Sequence, residues 1–208
     1  MPADYPPPHY DEPRRAEQLR LIGEQPLSTF IVAGDGGQPY ATPLPLTWAR
    51  AAVGGAPLPP GHEELLGHLD AANPAAAWVR DGRRAIAVFH GPSAYISPRD
   101  YVSRQLPTYN YRQVHAHGTL RRVSDPAAVA ADLRALVEAM EGPEGWELRA
   151  DDARVPALIP GVVAFRLRVE RLDGRYKLSQ DKRPADRAAA DAKLAGASGA
   201  LPHSGARV

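Results

Sequence analysis

The chain has 208 residues, 44% hydrophobic and 24% charged, enough to bury one good core, read here as a single domain with tails. A net charge of +1 offers no bulk attraction to nucleic acid, so no nucleic-acid partner is expected. The absence of cysteine excludes disulfides, zinc–thiolate centres, thiolate haem ligation and cysteine nucleophiles together, leaving His, Tyr and carboxylates to hold any metal. The N-terminal MPADYPPPHYDEPRR has no basic n-region or apolar h-region, and no apolar run reaches a membrane span; a cytoplasmic protein with no membrane partner is expected.

In chain order, residues 1–13 form a Pro-rich extension predicted to be extended. Arg15 to Gly23 reads as a short helix offering Leu19, Leu21 and Ile22 for packing. Ser28 to Ala33 is a strand, closed by the hairpin-type turn Gly34-Asp35-Gly36-Gly37, which leads into a second strand from Tyr40 to Trp48. Ala51 to Gly61 reads as a loop. Leu65 to Leu69 and Ala85 to Phe89 are further strands, separated by a helix starting near Asn73, where Asn can cap and Pro74 suits the first helical position.

Val114 to Val123 is a strand with His115, His117, Thr119 and Arg121 on one face and Val114, Ala116, Gly118 and Leu120 on the other. Asp125-Pro126 opens an Ala-rich helix to about Met140, whose stripe of Val129, Leu133, Leu136 and Val137 belongs to the core. From Val162 to Glu170, Val163, Phe165, Leu167 and Val169 alternate with Arg166, Arg168 and Glu170, a strand with one buried and one wet face. The main domain is placed at 14–187. Beyond Arg183 a frayed helix passes into an Ala/Gly-rich tail, 188–208, expected to be disordered. Six or seven strands with helices at the edges fit a small antiparallel barrel, a mainly β (α+β) fold.

The chemistry is concentrated between Phe89 and Leu120, where Tyr95, Tyr101, Tyr109 and Tyr111 stand among histidines and turn-forming prolines. Polar aromatics at that density suggest a cofactor pocket. The segment Phe89 to Tyr101 reads F-x-G-P-x-A-Y-x-S-P-x-x-Y, and Pro107 to Gly118 reads P-T-x-N-Y-x-x-V-H-x-x-G. Both resemble the signature block of the PaiB-like FMN-binding negative transcriptional regulators. Two further blocks follow the same family in the same order, G-H-x-x-x-x-N-P at Gly67 to Pro74 and K-L-S-Q at Lys177 to Gln180. The resemblance spans roughly 26–187. It implies an antiparallel split β-barrel of the FMN-binding type with peripheral helices, forming a homodimer.

The family divides, and one branch, the piperazate synthases, uses haem to close N5-hydroxy-L-ornithine into a cyclic hydrazine. The run Pro160 to Val169, P-G-V-V-A-F-R-L-R-V, followed by Asp173-Gly174, resembles that branch, as does the acidic Asp181 after K-L-S-Q. Tyr111 and the Val-His-Ala-His of Val114 to His117 are similar to the regulators instead, and Tyr109 stands where both branches favour Trp.

A haem site needs an axial ligand, an apolar slot and groups for the propionates. Of the seven histidines, His9, His62 and His203 fall in tails or a loop, leaving His68, His90, His115 and His117. The resemblance selects His68 as the iron ligand and haem b as the cofactor. Lys177 is the candidate for proton transfer, as a lysine made less basic by burial or a neighbouring cation suits that role. Tyr95, Ser97, Thr108, Asn110 and Tyr111 would line the pocket, and Arg166 and Arg168 are possible propionate partners. In the alternative, FMN is the cofactor of a regulator or flavin oxidoreductase, with Ser97, Arg104, Thr108, Lys177, Ser179 and Gln180 meeting the phosphate and ring system.

Overall fold

The computed structural model describes residues 7–49, 63–142 and 144–197. The predicted loop at 51–61, His62, His203 and the last part of the tail lie outside them. The first strand, β1 (Leu27–Ala33), buries Phe30 and Val32 and alternates as expected. It pairs antiparallel with β2 (Pro39–Pro45) through a turn in which Gly34 N–H donates to Gln38 C=O at 2.8 Å. Gly37 holds φ +81° there, a conformation that costs glycine nothing. The predicted strand from Tyr40 to Trp48 is interrupted at Leu46, which is fully buried and donates its N–H to Pro26 C=O at 2.9 Å, so β3 is only Thr47–Trp48. Pro43 and Pro45 sit on β2, which occupies a sheet edge where a missing donor is tolerated.

Seven strands form one sheet in the order β2-β1-β5-β6-β7-β4-β3, with β4 spanning Glu64–Asp70, β5 Arg84–Ile96, β6 Thr108–Val123 and β7 Val162–Lys177. The last three are longer than their apolar alternation indicates. Each continues through polar or turn-forming residues: Gly91-Pro92 in β5, Tyr109 to Gln113 in β6, and Asp173-Gly174 in β7. The predicted helix after Asn73 is a short 3-10 turn, Pro74–Trp78, with the expected cap: Ala75 N–H donates to Asn73 Oδ1 at 2.9 Å.

The chain divides into two compact units, where the sequence reading has one domain, because each long strand contributes its two ends to different units. One unit comprises Ile22–Phe89 and His115–Leu172. Its core is built from Phe30, Leu65, Leu66, Leu69, Phe89, Leu120, Phe165 and Leu167, with the Phe30 and Phe165 rings 5.1 Å apart. After α1 (Arg15–Glu24) in chain order, helix α2 spans Pro126–Glu141 and packs Val129 against Val123 and Ala164. A short helix α3 follows at Arg154–Leu158.

The other unit takes the residues up to Leu21, His90–Val114 and those from Asp173 on. Ala94, Ile96 and Tyr101 form its core with Ala190 and Leu194 of α4 (Pro184–Ala197). The disorder expected from residue 188 therefore does not begin there. Ala190 and Leu194 recur at helical spacing and bury one face of α4, and Asp186 accepts the Ser103 N–H at 2.8 Å. Among the described residues, no helix is long and apolar enough to cross a membrane.

Candidate functional site

A polar cluster lies in the unit containing α4, where β6 begins and β7 ends. Lys177, the last residue of β7, donates from Nζ to Thr108 Oγ1 at 2.6 Å, and its ammonium lies 5.7 Å from the centre of the Tyr10 ring. Two residues on in each strand region, Ser179 Oγ donates to Asn110 Oδ1 at 3.1 Å and stands 3.4 Å from the Tyr101 hydroxyl. Asn110 is wholly buried, and its Nδ2 meets no hydrogen-bond partner among the described residues. A buried donor without a partner costs stability unless a ligand or water takes it up.

The K-L-S-Q motif builds the turn that holds these groups. Gln180 Oε1 accepts the Leu178 N–H at 2.6 Å, and Gln180 Nε2 donates to Tyr176 C=O, closing the turn on both sides. Ser179 takes φ 57°, left-handed backbone that a side chain rarely adopts, and so aims its hydroxyl at Asn110. Asp181 follows and pairs with Lys182 at 2.8 Å. Burial works against the Asp181 charge, but the Lys182 hydrogen bond and charge hold its carboxyl below the usual range. Burial and the Asp181 carboxylate together push the Tyr10 phenol up.

The remaining residues of this unit have more local duties. Ser97 caps the turn Pro98–Asp100, accepting the Arg99 N–H at 3.3 Å while its own N–H donates to Asp100 at 2.8 Å. Tyr95 is 54% exposed, Tyr111 is half-buried within electrostatic reach of Tyr10, and Arg104 is exposed. His90 Nδ1 is 3.0 Å from Gln113 Nε2.

His68 and Arg166 belong to the other unit. His68 sits on β4 opposite Ala164 of β7, on the face that Ala164 shares with Val129 of α2. Its ring is half-buried, and its Nδ1 is buried and meets no hydrogen-bond partner among the described residues. Burial lowers its pKa, which favours the neutral imidazole, the form that ligates metals. Among the described residues, no three His, Asp or Glu gather into a metal-holding cluster. A haem would ask the protein for one imidazole rather than a cluster of ligands, and His68 is the residue that could supply it.

Arg166 is engaged within the protein. Its guanidinium forks onto Asp132 of α2, Nε to Oδ2 at 3.0 Å and Nη2 to Oδ1 at 2.6 Å, and its Nη1 reaches Glu64 at 3.2 Å, which Arg121 also meets at 3.2 Å. Arg168 is exposed opposite Glu64 on β4, and its C=O comes so near Gly118 that a Cβ there would lie 2.0 Å away. The His115 and His117 rings are 6.3 Å apart.

The structure thus brings Thr108, Asn110, Lys177 and Ser179, which the flavin alternative names, into one cluster, and places His68 and Arg166 in the other unit. It adds Tyr10 and Tyr101, of which Tyr10 is assigned by the sequence reading to an extended tail. The signal that could have found it is Asp173-Gly174: a glycine inside a strand marks close approach of another backbone.

Comparison with known folds places the molecule. The FAD- and haem-binding protein of Mycobacterium smegmatis superposes with a TM-score of 0.61 at 18% identity, covering 87% of this chain and 80% of that one. The flavocytochrome Anf3 of Azotobacter vinelandii gives a TM-score of 0.57 at 17% identity, covering 81% and 69%. These likenesses establish the fold, a mainly antiparallel split β-barrel with peripheral helices, as expected. In sequence, the chain is 28% identical over 184 residues to the "Protease synthase and sporulation protein PAI 2" of Bacillus subtilis, covering 86% of this chain and 84% of that one. Residues 4–171 match the profile of the family described as "Putative FMN-binding domain", and the chain belongs to that family.

Proposed function

We propose that this chain is a haem-dependent cyclase that converts N5-hydroxy-L-ornithine to piperazate by forming an N–N bond, working as a homodimer. The observation that carries the haem reading is His68: a half-buried imidazole whose pKa burial lowers and whose buried nitrogen meets no hydrogen-bond partner among the described residues, within the Gly67 to Pro74 motif. The synthase-like Pro160 to Val169 and Asp181 support the choice of reaction.

The α-amine lone pair forms the bond to N5, the N5–O bond breaks with its electron pair going to oxygen, and that oxygen leaves as water after taking up the proton released from nitrogen. Atoms and electrons balance with no oxidant or reductant. Haem, held through His68, would supply a Lewis acid for the N–O group. Lys177 holds or moves a proton at the α-amine, with Thr108 fixing the direction of Nζ at 2.6 Å. Asn110 Nδ2 is the buried donor available to an oxygen of the substrate. Tyr101 borders the cluster at Ser179.

A flavin reading is favoured by the family match, with Thr108, Lys177 and Ser179 as hydroxyl and ammonium donors to an FMN phosphate. Titration of the purified protein with hemin and, separately, with FMN separates the two. A Soret band saturating at one haem per chain in the wild type, and lost in His68→Ala, supports the synthase. Saturable flavin uptake with no Soret band, or an unchanged Soret band in His68→Ala, overturns the assignment. Lys177→Ala is expected to keep the Soret band and lose turnover.

A further inference from the structure

The segment preceding α1 docks along β7. Glu12 N–H donates to Gly174 C=O at 3.1 Å, and Asp11 forms an antiparallel bridge with Arg175. Gly174 makes this approach possible: a Cβ there would stand 2.5 Å from Glu12 O and 2.9 Å from Glu12 Cβ. The docking is held at several points. Glu12 is buried and takes Arg14 at Nε, 2.8 Å, and Nη2, 2.6 Å, which keeps its carboxyl below the usual range. Gln18 Nε2 donates to Glu12 C=O at 2.6 Å, and the Tyr176 hydroxyl donates to Glu17 C=O at 3.2 Å. Pro7 and Pro8 lead into the 3-10 turn Pro8–Tyr10 and reduce the freedom lost on docking.

This arm delivers Tyr10 to the turn after β7. The Lys177 ammonium lies 5.7 Å from the Tyr10 ring centre, and the Asp181 carboxylate, four residues on, interacts with the Tyr10 hydroxyl. Tyr10 therefore lies against the Lys177–Asp181 turn, its ring beside the cation and its hydroxyl influenced by the anion. Lys177 in turn has its Nζ on Thr108 at 2.6 Å.

We propose that Tyr10 is a positioning residue for Lys177: the N-terminal arm carries its ring over the ammonium, shielding Nζ from solvent and keeping it on Thr108. This deepens the cyclase reading, on which the catalytic use of Lys177 rests, and it makes the Asp173-Gly174 pair a requirement of the active unit, since Gly174 admits the arm. Asp181 acts here as the anion beside the Tyr10 hydroxyl.

The test uses the fact that the chain has three lysines, Lys177, Lys182 and Lys193. The wild type, Tyr10→Ala, Tyr10→Phe and Gly174→Ala proteins are acetylated with an N-hydroxysuccinimide ester under limiting conditions. The rate at each lysine is read by peptide mass spectrometry, with Lys193 as the internal reference. The expected result is acetylation of Lys177 roughly 5- to 10-fold faster in Tyr10→Ala, within about twofold of wild type in Tyr10→Phe, and accelerated in Gly174→Ala. Wild-type reactivity of Lys177 in both Tyr10→Ala and Gly174→Ala overturns the proposal, as does a Tyr10→Phe rate equal to that of Tyr10→Ala. In the haem-loaded protein, Tyr10→Ala should lower kcat roughly tenfold with KM and the Soret band unchanged. If the wild type forms no piperazate, the cyclase reading falls, and the acetylation rates still decide whether Tyr10 holds Lys177.

Discussion

Arg166 is where a cofactor role and a structural role make opposite predictions. On its strand it alternates with apolar residues and could face a haem propionate, yet its guanidinium is forked onto Asp132 and extended to Glu64. The side chains of Arg166, Asp132 and Glu64 are 28%, 7% and 17% exposed, so the carboxylate left behind by Arg166→Met would remain mostly buried. Removing one partner of a buried pair costs about 3–5 kcal/mol, and the partial exposure of Arg166 reduces this to about 2–3 kcal/mol. For a chain of this size that is a fall in Tm of roughly 4–12 °C. The double variant Arg166→Met, Asp132→Leu replaces the pair with apolar volume and should recover most of the loss, a coupling that urea melts of the four proteins measure as a double-mutant cycle. Hemin affinity in Arg166→Met should stay within about twofold of wild type, because the guanidinium is committed elsewhere. A variant that keeps its Tm and loses hemin binding would refute this reasoning and return Arg166 to the cofactor.

Ser179 pairs backbone strain with a useful hydroxyl. Ser179→Ala keeps φ 57° and deprives Asn110 of its partner, for a loss of about 1–3 kcal/mol; Ser179→Gly also loses the bond but releases about 1 kcal/mol of strain, so urea midpoints should rank wild type above Gly above Ala. Asp186, held below the usual carboxyl range by the Ser103 hydroxyl and N–H and by Gln105, ties α4 to the loop before β6. Because the unfolded state takes up this proton first, the contribution is present above the ordinary aspartate pKa and is lost as pH falls from there through the folded value. The urea midpoint of the wild type should therefore drop more between pH 5 and pH 3 than that of Asp186→Asn, and parallel curves would exclude the assignment.

Much of the fold is written in local patterns. The alternation of Val163, Phe165, Leu167 and Val169, the Asn73 cap and the Val129 and Leu136 stripe each translate into the element they predict, since burial of every second or every third to fourth residue is a property of one segment. What local pattern hides is pairing between distant segments. Asp132 sits in the apolar stripe of α2 and reads as an interruption until Arg166 is seen across from it. The start of β6 and the end of β7 carry the polar Thr108, Asn110 and Lys177 of the cluster, so their strand character is masked by the chemistry they serve. Tyr10 lies in a segment whose prolines suggest an extended tail, and only the backbone approach at Gly174 ties it to the sheet. Thr108, Asn110 and Lys177 stand in the motifs that resemble the family, and the structure joins Lys177 to Thr108 and Asn110 to Ser179.

The central claim is tested most directly by supplying N5-hydroxy-L-ornithine to the hemin-loaded protein without oxygen or reductant and analysing the product by mass spectrometry. The account predicts a cyclic product lighter by one water, formed by the wild type and absent from His68→Ala and Lys177→Ala. Unchanged substrate in the presence of a wild type whose Soret band is saturated would contradict it.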